Sequence, residues 1–103
     1  MLLQSDKEEV SMHALLVSVT IDPGHGADAQ SRLESDVLPR VKESPGMVSG
    51  VWTRSSDGQH GSSIIVFETE EGAKAALAAA EQMPQSEFIH FDTPEVREVV
   101  AQV

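Results

Sequence analysis

The chain has 103 residues, enough for one domain with a modest core, and carries a net charge of −10 from 17 acidic and seven basic side chains. A phosphate backbone needs clustered cations, so neither nucleic acid nor an anionic membrane surface is an expected partner. With no cysteine there is no disulfide, thiolate nucleophile or thiolate metal site, and no stretch approaches the ~20 apolar residues of a membrane span or forms a signal-peptide core, which points to the cytoplasm.

Residues 1–11 are polar after the first three and read as an N-terminal extension, with the folded domain expected over 12–103. Along 15–21 the apolar Leu15, Val17, Val19 and Ile21 alternate with Leu16, Ser18 and Thr20. This period of two predicts a strand whose greasy face meets helices and whose mixed face points elsewhere. Asp22-Pro23-Gly24 ends it. From about 27 to 42 a helical stripe gathers Leu33, Val37, Leu38 and Val41, with Gln30, Arg32, Glu34 and Asp36 largely outside it, and Pro39 should kink or shorten the last turn. Ser44-Pro45-Gly46 stops the helix. A second strand over 47–54 places Met47, Ser49, Val51 and Thr53 on one face and Val48, Gly50, Trp52 and Arg54 on the other. Residues 55–61 form a hairpin loop around Asp57-Gly58, and 62–68 return as a β-branched strand.

Thr69 offers an N-cap oxygen for a helix over 70–83, where Glu70 and Glu71 lie near the positive helix end and Ala73, Ala76, Leu77 and Ala80 form the buried stripe. Pro84 ends it. A short aromatic strand follows over 86–92, Thr93-Pro94 breaks it, and 95–103 predict a fifth strand that crosses to a neighbouring copy for want of a place at home. The order β-α-β-β-α-β is the split-βαβ, ferredoxin-like arrangement, an α+β fold with one extra C-terminal strand. A single sheet with both helices on one face leaves the other face bare, so a homodimer is expected.

Three junctions carry a family resemblance: the strand ending in Asp22-Pro23-Gly24, the Ser44-Pro45-Gly46-Met47 approach to strand two, and Phe67-Glu68-Thr69-Glu70-Glu71 between strand three and its helix. Together they resemble the dimeric α/β-barrel superfamily, and within it the antibiotic-biosynthesis-monooxygenase-like domains, over nearly the whole chain beyond the extension. The resemblance implies two ferredoxin-like units packed sheet to sheet, each with a pocket between its sheet and its helices. It also implies a range of roles, from cofactor-independent mono-oxygenation of aromatic substrates to haem degradation and isomerisation. Aligned on the proline after strand one, the Asn of the haem-degrading branch falls on Ser18 and its helix Trp falls near Ala76. The second helix contains no histidine, so haem degradation is disfavoured and no cofactor is expected.

Four residues are candidates for binding a substrate. Trp52 and Arg54 share a strand face, so an indole wall can stack on a planar ligand while the guanidinium binds its anionic or carbonyl oxygen. The competing reading is a Trp and Arg that anchor a protein interface. His90, with Asp92 two residues on, suggests a base oriented by a carboxylate, against a His bonded locally at a sheet end. Ser18 can fix a substrate carbonyl or a water, or simply bond a neighbour. Gly24-His25-Gly26-Ala27-Asp28-Ala29 matches a nucleotide-binding glycine pattern, but Pro23 separates it from the strand and no acidic residue ends strand two, so it reads as a turn and helix start. His13, His25 and His60 should face solvent, and no spacing among the histidines suggests a metal site. The expected function is a homodimer that binds a small aromatic molecule, with cofactor-free mono-oxygenation as its activity if it is an enzyme. The alternative is a non-catalytic dimeric binding or regulatory module.

Overall fold

The computed structural model describes residues 11–103, so the expected extension falls outside the described residues except for Ser11. Strand β1 (His13–Ile21) leads into three helical segments that follow without a break: α1 (Gly26–Arg32), a π-helical turn (Leu33–Val37) and α2 (Leu38–Lys42). Then come β2 (Met47–Arg54), β3 (His60–Phe67), α3 (Glu70–Glu81), β4 (Ile89–Phe91) and β5 (Glu95–Glu98). All pairings are antiparallel: β1 is central, β3 and then β2 lie on one side, and β4 and β5 lie on the other. Strands β1 and β2 therefore run parallel with β3 between them, the expected ferredoxin-like α+β topology with five strands.

The fifth strand pairs at home, against the expectation that it would cross to another copy. β4 lies along Val19–Ile21 of β1, and β5 lies along His13–Leu16 of the same edge. Between the two ladders, Val17 and Ser18 of β1 face the three residues Asp92, Thr93 and Pro94. One residue is thus extra, a bulge on an edge strand, where a proline without an N–H is tolerated. The Asp92 N–H still donates to the Ser18 carbonyl at 2.9 Å.

Pro39 acts earlier in the helix than expected. It does not shorten the last turn, since helix continues to Lys42. The widened turn comes first, with the Leu38 N–H donating to the Leu33 carbonyl five residues back. That widening relieves the clash between the proline ring and the preceding turn. A bulge between Met47 and Ser49 shifts the β2–β3 register. It turns Met47 onto the Trp52 face, contrary to the expected alternation, and Met47 packs against the core.

The helices all lie on the face carrying Leu15, Ile21, Ile65 and Phe67. Leu15, Ile65, Phe67 and Ala73 form one buried cluster, joined by Val41, Ala76 and Leu77. Ile21, Ala29 and Ile89 form a second. The opposite sheet face is closed at one end, where Ala14 and Val66 are buried. From there it opens: Leu16, Ile64 and Val51 stand in register across β1, β3 and β2, and Ile64 and Val51 are 50% and 61% exposed.

Candidate functional site

A cavity of about 190 Å³ lies between sheet and helices, lined by members of both buried clusters. Its origin is compositional. The α3 residues that face it are Ala76, Ala79 and Ala80, too short to reach the sheet. The sheet beneath contributes Gly61 and Ser63 as well as larger side chains. Neither layer fills the gap, and the core is divided in two.

Trp52 and Arg54 both line this cavity. Two strand glycines make room for them. A Cβ on Gly50 would stand 2.7 and 2.8 Å from the Trp52 ring atoms Cζ3 and Cη2, so the indole lies over bare backbone. Opposite Arg54 in the ladder is Gly61, where a Cβ would come within 3.0 Å of Val19 Cγ2 and 4.0 Å of Arg54 Nε. Glycine inside a strand marks such a close approach. The Arg54 guanidinium reaches the Gly26 carbonyl and Gln30 Oε1, both at 3.5 Å. These are long contacts to neutral acceptors.

Ser18 and His90 do not join them. Side chains alternate across a strand, so Ser18 projects from the face opposite Val17 and Val19, and it is exposed. His90 pairs with Thr20 in the ladder and shares that opposite face. The carboxylate beside it is not Asp92: His90 Nε2 lies 3.0 Å from Asp22 Oδ1 at the end of β1, with the two side chains 58% and 43% exposed. Of the four candidates the structure unites two in one cavity and leaves two on the far side of the sheet. His25, expected to face solvent, is instead half-buried and stacked on Phe88 with ring centres 3.7 Å apart, and its Nδ1 meets Asp28 Oδ2 at 2.8 Å. His13 is also half-buried, with Nδ1 3.0 Å from the Ser11 carbonyl, whereas His60 is exposed. Gly24 and Gly26 form a turn and a helix start, and a Cβ at either would meet nothing within 4 Å.

Polar side chains beyond the four candidates also line the cavity, among them Arg32, Arg40 and Ser63. Arg32 and Arg40 line the cavity from α1 and α2, although Arg32 was expected outside the apolar stripe. Ser63, 8% exposed, faces the cavity from β3 and donates to the Val17 carbonyl at 3.4 Å. The helical spacing held the signal: Arg32 is three residues from Ala29, and Arg40 is three from Val37, which places the half-buried Arg32 and the exposed Arg40 at the margin of the apolar stripe. Among the described residues no Asp, Glu or His lines the cavity, and no three metal-ligating side chains converge. A smaller adjoining cavity of about 140 Å³ shares Val17, Arg32, Ala80, Met83 and Phe91 with the first and adds Glu81 and Pro94.

No protein-family model and no curated protein sequence matches the chain. Solved structures do match. The haem-degrading protein MhuD of Mycobacterium tuberculosis superposes with a TM-score of 0.67 at 19% identity over 88% of this chain and 98% of that one. A Bordetella bronchiseptica protein assigned by name to the antibiotic-biosynthesis monooxygenases gives 0.64 at 17%, over 90% and 99%. A Streptomyces coelicolor monooxygenase in complex with nanaomycin D gives 0.52 at 15%, over 95% and 93%. The class defined by this sheet order and these crossovers is the ferredoxin-like α+β domain. More narrowly, the chain has the fold of antibiotic-biosynthesis-monooxygenase-like proteins, as its junction motifs implied. No helix among the described residues is long and apolar enough to cross a membrane.

Proposed function

We propose that this chain is a homodimer that binds a small aromatic molecule in the cavity between its sheet and helices, and that its activity is cofactor-independent mono-oxygenation of that molecule. The observation that carries this reading is an apolar cavity of about 190 Å³ walled by Trp52, with Arg54 on the same strand face. A cavity near 150 Å³ takes benzene, whereas drug-sized ligands want roughly 300–1,000 Å³. One or two fused rings suit this space. Haem does not: its macrocycle exceeds the volume, and no histidine lines the walls.

In the chemistry proposed, a substrate CH₂ flanked by unsaturation loses a proton, and the carbanion reduces dioxygen. CH₂ and O₂ become C=O and H₂O, with every electron supplied by the substrate. The protein holds the ring and stabilises the anion, which lowers the substrate's own pKa. Arg54 fits that role. The monooxygenase neighbour complexed with nanaomycin D supports the class of reaction by analogy of fold.

Dimerisation is supported by the bare row of Leu16, Ile64 and Val51, which a second sheet would cover. On that face Ser18 and His90 serve the pairing of sheets rather than the ligand. A reducing cytoplasm asks for no disulfide and suits a chain without cysteine.

One observation favours a second reading, a binding or regulatory dimer without turnover: no Asp, Glu or His lines the cavity to act as a general base. The test is a thermal-stabilisation screen of one- and two-ring phenols, quinones and related aromatics, followed by oxygen consumption with each hit. Trp52→Ala should weaken binding by about 1 kcal/mol or more, the worth of an aromatic stack, and leave the dimer intact. Loss of the dimer with binding unchanged would overturn the assignment of Trp52 to the pocket.

A further inference from the structure

The distribution of charge around the cavity runs against the rest of the molecule. The chain has 17 acidic residues and four arginines, Arg32, Arg40, Arg54 and Arg97. Three of those four line the main cavity, and no carboxylate does. The fourth, Arg97, lies on β5 and is paired with Glu95 at 2.5 Å. Random placement of so few cations in so acidic a chain would leave most of them beside carboxylates.

None of the three is neutralised by a carboxylate among the described residues. Arg32 Nη2 donates to the Pro84 carbonyl, which ties α1 to the segment after α3 and fixes this guanidinium at the junction of the two cavities. Arg54 makes only the two long contacts to neutral oxygens. Arg40 has no side-chain partner among the described residues. Arg32 is half-buried while Arg40 and Arg54 are exposed, so the three guanidiniums stand at the rim of an apolar space, where an anion is held more strongly than in bulk water but less than in a closed interior. The planar fork of a guanidinium matches a carboxylate or phenolate oxygen.

We propose that the ligand is an oxyanion in its resting state: a planar body of one or two rings bearing a carboxylate or an ionised phenol. The proposal rests on the small-aromatic reading above and narrows it to an anionic class. The ring stacks on Trp52, and the oxyanion points to Arg54. Two residues along a strand span about 6.5–7 Å, close to the distance from ring centre to acid group in a bicyclic aromatic acid. Arg32 and Arg40, eight residues apart along continuous helix and so about 12 Å apart on its axis, supply positive potential from the opposite wall. The absence of carboxylates from that wall removes what would otherwise repel the ligand.

The test uses matched pairs that differ only in charge: benzoate and methyl benzoate, 2-naphthoate and methyl 2-naphthoate, 2-naphthol above and below its pKa. Binding is read from the fluorescence of Trp52, the sole tryptophan. The proposal predicts that in at least one pair the anion binds about tenfold more tightly than its neutral twin, the scale of a hydrogen bond to a charged group. Arg54→Gln and Arg40→Gln should each erase much of that preference, lowering the anion's affinity several-fold more than its neutral twin's. Equal binding of anion and neutral twin in every pair, or preference for the neutral one, would overturn the anionic class and leave the aromatic pocket standing. Failure of every compound to perturb Trp52 would overturn both. An anion preference that survives both substitutions would show that other groups provide it, and would also overturn the assignment.

Discussion

At the scale of single residues, the site depends as much on what is missing as on what is present. Trp52 lies flat only because Gly50 lacks a Cβ, which would stand 2.7 Å from the ring. Gly50→Ala should therefore rotate the indole off the strand, shift its emission, and weaken any ligand by about tenfold, equivalent to roughly 1.4 kcal/mol. Circular dichroism should be unchanged, since Gly50 has no positive φ to lose. A Gly50→Ala protein with unaltered emission and affinity would show that the ring does not rest on that backbone. Trp52 and Arg54 were legible because alternation puts residues two apart on one face. Ser18 and His90 join that pair by residue type and not by parity. Ser18 differs by one position from Val17 and Val19, and that odd step carries it through the sheet.

At the scale of elements, local chemistry explains the ends of the helices and turns. Thr69 Oγ1 accepts from the Gly72 N–H at 3.0 Å, the N-cap its sequence predicts. In the β2–β3 hairpin, Gly58 takes φ 76°, a conformation L side chains rarely adopt. Asp57 accepts from Ser55 Oγ at 2.6 Å and from the Gln59 N–H at 2.9 Å. Those two bonds, the Ser55 hydroxyl first, hold its carboxyl below the ordinary value. A depressed folded-state pKa contributes stability above the unfolded value, about 4 for Asp, and that contribution is lost as the pH falls through the folded value. Melting curves should show a small stability gap between wild type and Asp57→Asn at neutral pH that closes on acidification below about pH 4. A gap that stays constant to acid pH would mean the turn does not depend on this charge.

The bulges and the π turn were the parts least legible at this scale. Each adds one residue's offset, and periodicity averages over an offset. Val48 turns Met47 to the other face, and the extra residue among Asp92, Thr93 and Pro94 lets β4 and β5 share one edge. Pro39 announced a distortion of its helix but not its place, because the relief lies in the turn before the ring. The arginines were hidden for another reason, their charge. A stripe drawn only through the apolar Leu33, Val37, Leu38 and Val41 omits Arg32 and Arg40, which lie at its margin three residues from Ala29 and Val37.

At the scale of the whole molecule, the sheet has two faces with different tasks. One meets helices and encloses the cavity. The other presents Leu16, Ile64 and Val51 to water, and a stable interface of standard size needs about 800 Å² per partner. Ile64 stands in the middle of that row between Leu16 and Val51, so Ile64→Glu should place a carboxylate whose ladder partners are both apolar and convert a dimer to a monomer in sedimentation equilibrium. If wild type already sediments as a monomer at micromolar concentration, the homodimer is wrong. The cavity, which lies within one copy, would survive that result.

The most direct test of the central claim is a backbone and indole amide map of a bound one- or two-ring aromatic by ¹H–¹⁵N correlation spectra. Shifts should concentrate at the Trp52 indole and at Gly50, Gly61 and Ser63 on the helix-covered side of the sheet, and at Leu33 in the helical wall above it. Shifts centred instead on Ser18, Thr20 and His90, with the Trp52 indole unmoved, would contradict that claim.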